Sequence, residues 1–163
     1  MKSGLTPIVN LNARILILGT LPGDKSIRQQ QYYAHPQNQF WRILTDVYGE
    51  PFHETYAERV ALIARHDLAV WDVLRSADRA GSLDSKIQNA VPNEFGAFFA
   101  RLNRLEAIAF NGQKASALFN RYIANSDHGP RCAFRTAVLP STSPAYTLSF
   151  VDKVAQWRTF LAG

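Results

Sequence analysis

Arg14-Ile-Leu-Ile-Leu-Gly-Thr-Leu-Pro-Gly-Asp-Lys-Ser26 is the stretch whose reading decides the fold. Ile15 to Leu18 are apolar without a break, and Gly19 ends the run. A short unbroken apolar run closed by glycine predicts a strand buried on both faces, because an edge or half-exposed strand would alternate. Working outward, three more runs have this character: Asp67–Val73 (DLAVWDV), Leu105–Phe110 (LEAIAF) and Thr136–Leu139 (TAVL). Between them the spacing predicts helices over Phe40–Tyr48, Asn93–Leu102 (after Pro92), Gln113–Ile123 and Ser149–Leu161. Strands that alternate with helices imply right-handed crossovers and a largely parallel sheet covered on both faces, an α/β fold. There is no repeat, low-complexity segment or linker, so residues 1–163 are expected to form one domain.

In open α/β sheets, ligands bind where loops leave the C-terminal ends of the strands. Those loops read GTLPGDKS, DVLRSADRAGS, NGQKAS and PSTSPAY, all rich in small and polar residues. The expected site is built from these four loops.

Composition narrows the chemistry. The chain has 163 residues, of which 47% are hydrophobic, enough for one core. Its single cysteine, Cys132, cannot form an internal disulfide or supply the ligands of a thiolate-bound metal cluster. No thiolate-bound metal is expected. The run Ile15–Leu18 is too short for a signal peptide or a membrane span, so the expected setting is the cytoplasm, with no membrane partner and a monomeric state. Net charge is +5 and the pI about 9.6, which suits a polyanion. From Asn111 to Phe150 the charges are Lys114, Arg121, Arg131 and Arg135 against Asp127 alone.

Gly19 to Ser26 also comes close to a phosphate-binding P-loop. That motif needs four residues between its glycines and a lysine directly after the second. Here three intervene, Asp24 separates Gly23 from Lys25, and Pro22 removes one backbone donor. With Leu68–Asp72 as a possible magnesium-holding strand, a nucleotide hydrolase stands as a rival reading.

Gln31-Tyr-Tyr-Ala-His-Pro-Gln-Asn-Gln-Phe-Trp41 carries more weight. It packs four aromatics, a histidine, a proline and an asparagine between the glycine loop and a helix. Taken locally, it reads as a helix start with Asn38 as the N-cap and Phe40 and Trp41 opening the buried stripe. Taken with GTLPG (19–23), GSLDS (81–85), AFNGQKA (109–115) and LPSTSPAY (139–146), it resembles the uracil-DNA glycosylase superfamily. Within the superfamily it is similar to the mismatch-specific and thymine-DNA glycosylases, and closest to the hypoxanthine-DNA glycosylase branch. The matches run in order over most of the chain. The resemblance implies a three-layer α/β/α sandwich with a short four-stranded, mainly parallel sheet. It also implies base excision from damaged DNA without metal or cofactor.

The roles that the resemblance implies are specific. The target nucleotide is flipped out of the duplex. Tyr33 matches the stacking aromatic, with Tyr32 as the substitute. Leu21 stands in the glycine loop, after Gly19, where many members hold a water-positioning Asp or Asn. In the hypoxanthine branch that role passes to the asparagine aligned with Asn38. An amide is no useful base at neutral pH, so Asn38 would hold and orient water by position and electrostatics. His35 is the candidate for stabilising the leaving base, since an imidazole can donate near neutrality. Asp72 and Asn111, at strand ends, are the candidates for reading the base edge. Ser141 stands where relatives have His or Asn. Ser143, Pro144, Ala145 and Tyr146 form the expected minor-groove wedge. Ser26, Lys114 and Arg135 are candidate phosphate contacts. Leu21 and Ser141 also keep open a DNA-binding domain that has lost its chemistry.

Overall fold

The computed structural model describes residues 1–126, 129 and 134–163, so Cys132, Asp127 and Arg131 lie outside the described residues. Four parallel strands form the main sheet: β2 (Ile15–Gly19), β3 (Leu68–Asp72), β6 (Ala107–Asn111) and β7 (Arg135–Leu139). Their order is β3-β2-β6-β7. Gly19 stands beside Asp72 across β2 and β3, and Asn111 beside Leu139 across β6 and β7. This register brings the polar strand ends to one edge. From β2 the chain crosses to β3 on one side and later returns to β6 on the other. That reversal opens a crevice at the C-terminal strand ends.

Side-chain alternation explains the three layers. Leu16, Leu18, Ala69, Trp71, Ile108 and Phe110 point to one face. There they pack against α4 (Phe95–Arg101) and α5 (Gln113–Phe119). Ile17, Leu68, Val70, Ala107 and Ala109 point to the other face, which is covered by α2 (Phe40–Val47), α3 (Tyr56–Arg65) and α6 (Phe150–Leu161). Leu16, Ile17 and Leu18 are all 0% exposed, and each such burial contributes about 1.5–3 kcal/mol. The α2 stripe buries Phe40, Trp41, Ile43 and Leu44. The helix stops at Tyr48, before Gly49 takes a left-handed φ of +64°.

The structure adds elements to the four strands and four helices expected. A second, antiparallel sheet has the order β1-β4-β5, from Lys2–Ser3, Leu74–Asp78 and Gln88–Pro92. β4 was expected as loop. It starts one residue after β3, because Val73 still donates to Gly19 O while the chain bends away. α3 was also not expected, although Thr55-x-x-Glu58 is a capping signature and Thr55 Oγ1 accepts from the Glu58 amide. A short α1 (Asp24–Gln29) follows the glycine loop. The helix expected to run from Gln113 to Ile123 is α-helical to Phe119 and continues as a π-turn over Asn120–Ala124. Among the described residues no helix is long and apolar enough to cross a membrane.

Candidate functional site

A cavity of about 500 Å³ opens at the C-terminal ends of the main sheet, within the size range of ligand sites. Of the residues singled out from the sequence, the structure brings Gly19, Leu21, Ser26, Tyr32, Tyr33, His35, Asn38, Asp72, Asn111, Ser141 and Ser143–Tyr146 to its wall. Lys114 stays outside the wall and exposed on α5.

Tyr32 and Tyr33 part company here. Tyr32 is buried, its hydroxyl donates to Thr6 O at 2.8 Å, and its carbonyl accepts from Trp41 Nε1 at 2.9 Å. It belongs to the core. Tyr33 takes a left-handed φ of +54°, a conformation that a bulky residue adopts only when its surroundings impose it. This turns its ring to the cavity, stacked on Phe40 with centroids 4.0 Å apart and planes 20° from parallel. One ring face is thereby backed by the core.

Gly19 is required at the floor. A Cβ there would sit 2.5 Å from Asp72 Oδ1 and 2.8 Å from the Tyr33 hydroxyl. Among the described residues, the buried side-chain atoms with no hydrogen bond of good geometry are Thr20 Oγ1, Tyr33 OH and Asp72 Oδ2, though Asp84 stands close to Thr20 and Asn111 close to Tyr33; all three residues line this cavity. Buried polar atoms left unpaired are costly, so a cluster of them marks a place where a ligand supplies the partners. Burial, with the Asp84 carboxylate nearby, pushes the Asp72 carboxyl up to about 7, against a smaller pull from Arg79. Burial and the neighbouring Asp72 also push the Tyr33 phenol well above its usual range.

Asn38 lies on the cavity wall, and its Oδ1 accepts from the Phe40 amide at 2.9 Å. The capping position itself is Gln39. Asn38 therefore steadies the start of α2 and keeps both Nδ2 hydrogens and one Oδ1 lone pair for a ligand or water. His35 is exposed at the rim, and its Nδ1 accepts from the Gln37 amide at 3.1 Å, which assigns the proton to Nε2.

The 139–146 loop is anchored below and bare at its tip. Asn111 Oδ1 accepts from the Thr142 amide, and its Nδ2 donates to Thr142 Oγ1, both at 3.0 Å. Asn111 is thus first a loop anchor, with part of its amide left for a ligand. Ser141 Oγ accepts from the Ser143 amide, and Ser143 Oγ from the Ala145 amide, each at 3.2 Å. These two serine turns leave Pro144, Ala145 and Tyr146 exposed.

Several expectations change. The Leu21 side chain, expected to touch the base, is 6% exposed and packs into the α4/α5 core while it lines the cavity wall. Ser26 is buried, and its hydroxyl accepts from the Ala34 amide at 3.0 Å; it fastens the loop rather than reaching outward. Arg135 begins β7 at the opposite end of the sheet, where it donates to Phe160 O and lies over the Phe160 ring. It is no cleft residue.

The structure also adds residues that were not expected. Arg79 is buried and donates to Leu21 O, Pro22 O and Gly81 O, clamping the glycine loop. Asp84 pairs with it at 3.6 Å and lines the cavity. GSLDS was visible as a motif, but not that it folds over the first loop. Thr142, 1% exposed, stood unmarked between two expected serines. Among the described residues, no group of three or more His, Cys, Asp or Glu could hold a metal ion.

Comparison with known proteins agrees with this layout. The family model described as "Uracil DNA glycosylase superfamily" matches residues 6–161. A protein of Methanosarcina barkeri named hypoxanthine DNA glycosylase is 34% identical over 160 residues, covering 96% of this chain and 95% of the relative. One of the same name from Methanosarcina acetivorans is 34% identical over 162 residues, covering 97% and 96%. A solution NMR structure of a candidate uracil DNA glycosylase from Methanosarcina acetivorans superposes with a TM-score of 0.80 at 33% identity, covering 98% of this chain and 96% of the other. These matches leave no place for the P-loop reading, and the chain belongs to the uracil DNA glycosylase superfamily.

Proposed function

We propose that the protein is a monofunctional DNA glycosylase for deaminated bases, with hypoxanthine as the preferred lesion and uracil or xanthine as lesser ones. The observation that carries this is one cavity joining a stacking ring (Tyr33), unpaired polar atoms at its floor (Thr20, Tyr33, Asp72) and an amide on its wall (Asn38), beside the bare Pro144–Tyr146 tip. The names of the two Methanosarcina relatives support the choice of lesion.

The tip enters the space vacated by the flipped nucleotide, and the base stacks on Tyr33. Hypoxanthine presents N1–H as a donor and O6 as an acceptor. The Asp72 carboxylate accepts from N1–H, and the free Asn111 N–H donates to O6. Adenine presents a lone pair at N1, which the carboxylate repels. The bond from C1′ to the base nitrogen breaks and its electron pair leaves with the base, where His35 Nε2–H can donate. Asn38 holds a water whose oxygen attacks C1′; the proton that water loses passes to solvent and balances the one the departing base takes up, so C1′ gains OH and the base gains H.

A labelled duplex carrying deoxyinosine, uracil or xanthine, treated with protein and then alkali, tests the reading. Strand cleavage is expected fastest at deoxyinosine. Folded protein that yields no abasic site from any of the three overturns the assignment. Lesion binding without excision would favour the inactive DNA-binding alternative, for which Leu21 and Ser141 are the motivating departures.

A further inference from the structure

The buried charged residues among those described are Asp72, Arg79 and Lys153. Asp72 lies at the cavity floor, and Arg79 meets Asp84. Lys153, on α6, is 1% exposed and has no acidic group within salt-bridge distance among the described residues. A lone ammonium is expensive to bury, and a methionine of similar shape would be cheaper there. Burial accordingly pulls the Lys153 ammonium below the usual lysine range.

What Lys153 touches explains its retention. Its Nζ donates to Gln39 Oε1 at 3.0 Å and to Ser143 O at 3.2 Å, and lies 5.5 Å from the centre of the Tyr146 ring. Gln39 follows Asn38 directly, and its backbone N–H donates to Thr142 O at 3.0 Å. One turn further along α6, Trp157 Nε1 donates to Pro140 O at 2.9 Å. The helix therefore grips both ends of the tip loop, and Lys153 joins that loop to the segment carrying Asn38.

We propose that Lys153 is a positioning residue that holds the DNA-intruding loop against the segment behind it, so that the loop keeps the shape needed to extract the base from a paired duplex. It rests on the glycosylase reading above. Too buried to meet a phosphate, Lys153 acts through Ser143, Tyr146 and Gln39.

The test compares wild type with Lys153→Met on two substrates: deoxyinosine paired in a duplex, and deoxyinosine opposite a one-nucleotide gap, where no partner base must be displaced. Single-turnover excision from the duplex should fall about 30-fold, the scale of an ångström-sized misplacement, while the gapped substrate loses less than about 3-fold. The melting temperature should stay level or rise, and the salt slope of DNA binding should not change, since no phosphate contact is lost. Equal losses on both substrates, or no loss, would overturn the proposal. So would a salt slope shallower by about one, which would make Lys153 a phosphate contact. Gln39→Met is the second variant, removing the acceptor while keeping the cation, and should give the same duplex-selective loss in weaker form; equal losses there count against the proposal too. Wild type that excises from neither substrate defeats the glycosylase reading instead.

Discussion

Asp72→Asn should make the protein more stable in alkali and leave it nearly unchanged in acid. Asp72 is 4% exposed, and its carboxyl is pushed up to about 7, first by burial and then by Asp84. In the unfolded chain it titrates near its ordinary value of about 3.9. The folded state therefore binds the proton more tightly, and folding loses stability as pH rises from about 4 to about 7. Below that window both states are protonated and the penalty is absent; above it the penalty is complete. A rise of three pH units corresponds to a ceiling of about 4 kcal/mol. The amide is neutral throughout and nearly isosteric. Urea unfolding at pH 8.5 should show a gain of roughly 2–4 kcal/mol for Asp72→Asn, shrinking to within about 1 kcal/mol at pH 4.5. A loss of stability of equal size at both pH values would refute the reasoning. It would mean that the carboxylate is structurally needed rather than held at a cost for the site.

Three further outcomes follow from the same geometry. Asn38→Ala should lower excision at least about 100-fold while leaving lesion-DNA affinity within a few-fold, as read by single-turnover kinetics beside fluorescence anisotropy; near-wild-type turnover would remove Asn38 from the chemistry. Gly19→Ala should cost about 1–3 kcal/mol through overpacking against Asp72 and Tyr33 and should abolish excision, whereas full activity would mean that the floor is looser than its contacts indicate. Glu50 is held down at about 2, first by Arg65 and then by His66 and His53. Because its folded value is depressed, this contribution is present above about pH 4.5 and fades as pH falls toward 2. Glu50→Gln should therefore cost about 2 kcal/mol at pH 7, discounted for partial solvent screening, and roughly a quarter of that at pH 2.5, followed by thermal melts across that range.

The main sheet was legible because its signal is local, except in the burial of β7: expected to be covered on both faces, it is an edge strand, with Arg135, Thr136 and Val138 exposed. Ile15–Leu18 and Leu68–Trp71 are continuous apolar runs, and only a strand covered on both faces can bury them. The four loops could be assigned to one cleft because a parallel sheet puts every C-terminal strand end on the same edge. β4 and β5 escaped notice because Leu74–Asp78 and Gln88–Pro92 are short, mixed segments whose pairing depends on partners 10 to 18 residues away. The register of β4 against β5 shifts twice, which further blurs any alternation.

The sequence by itself determined the layer order, the edge at which chemistry could occur and the residue types available there. Hydrophobic periodicity and chain connectivity are properties of the string. Only the tertiary structure decided which of two adjacent tyrosines is tied into the core by its hydroxyl and which stacks its ring on Phe40 at the cavity. That choice turns on a left-handed φ at Tyr33, imposed by Phe40 behind it and Asp72 beside it. Likewise, only the fold could show Leu21 turned to the core and Lys153 tied to Ser143 and Gln39. Such contacts join residues as far as 114 positions apart, and no periodicity encodes a bond between them.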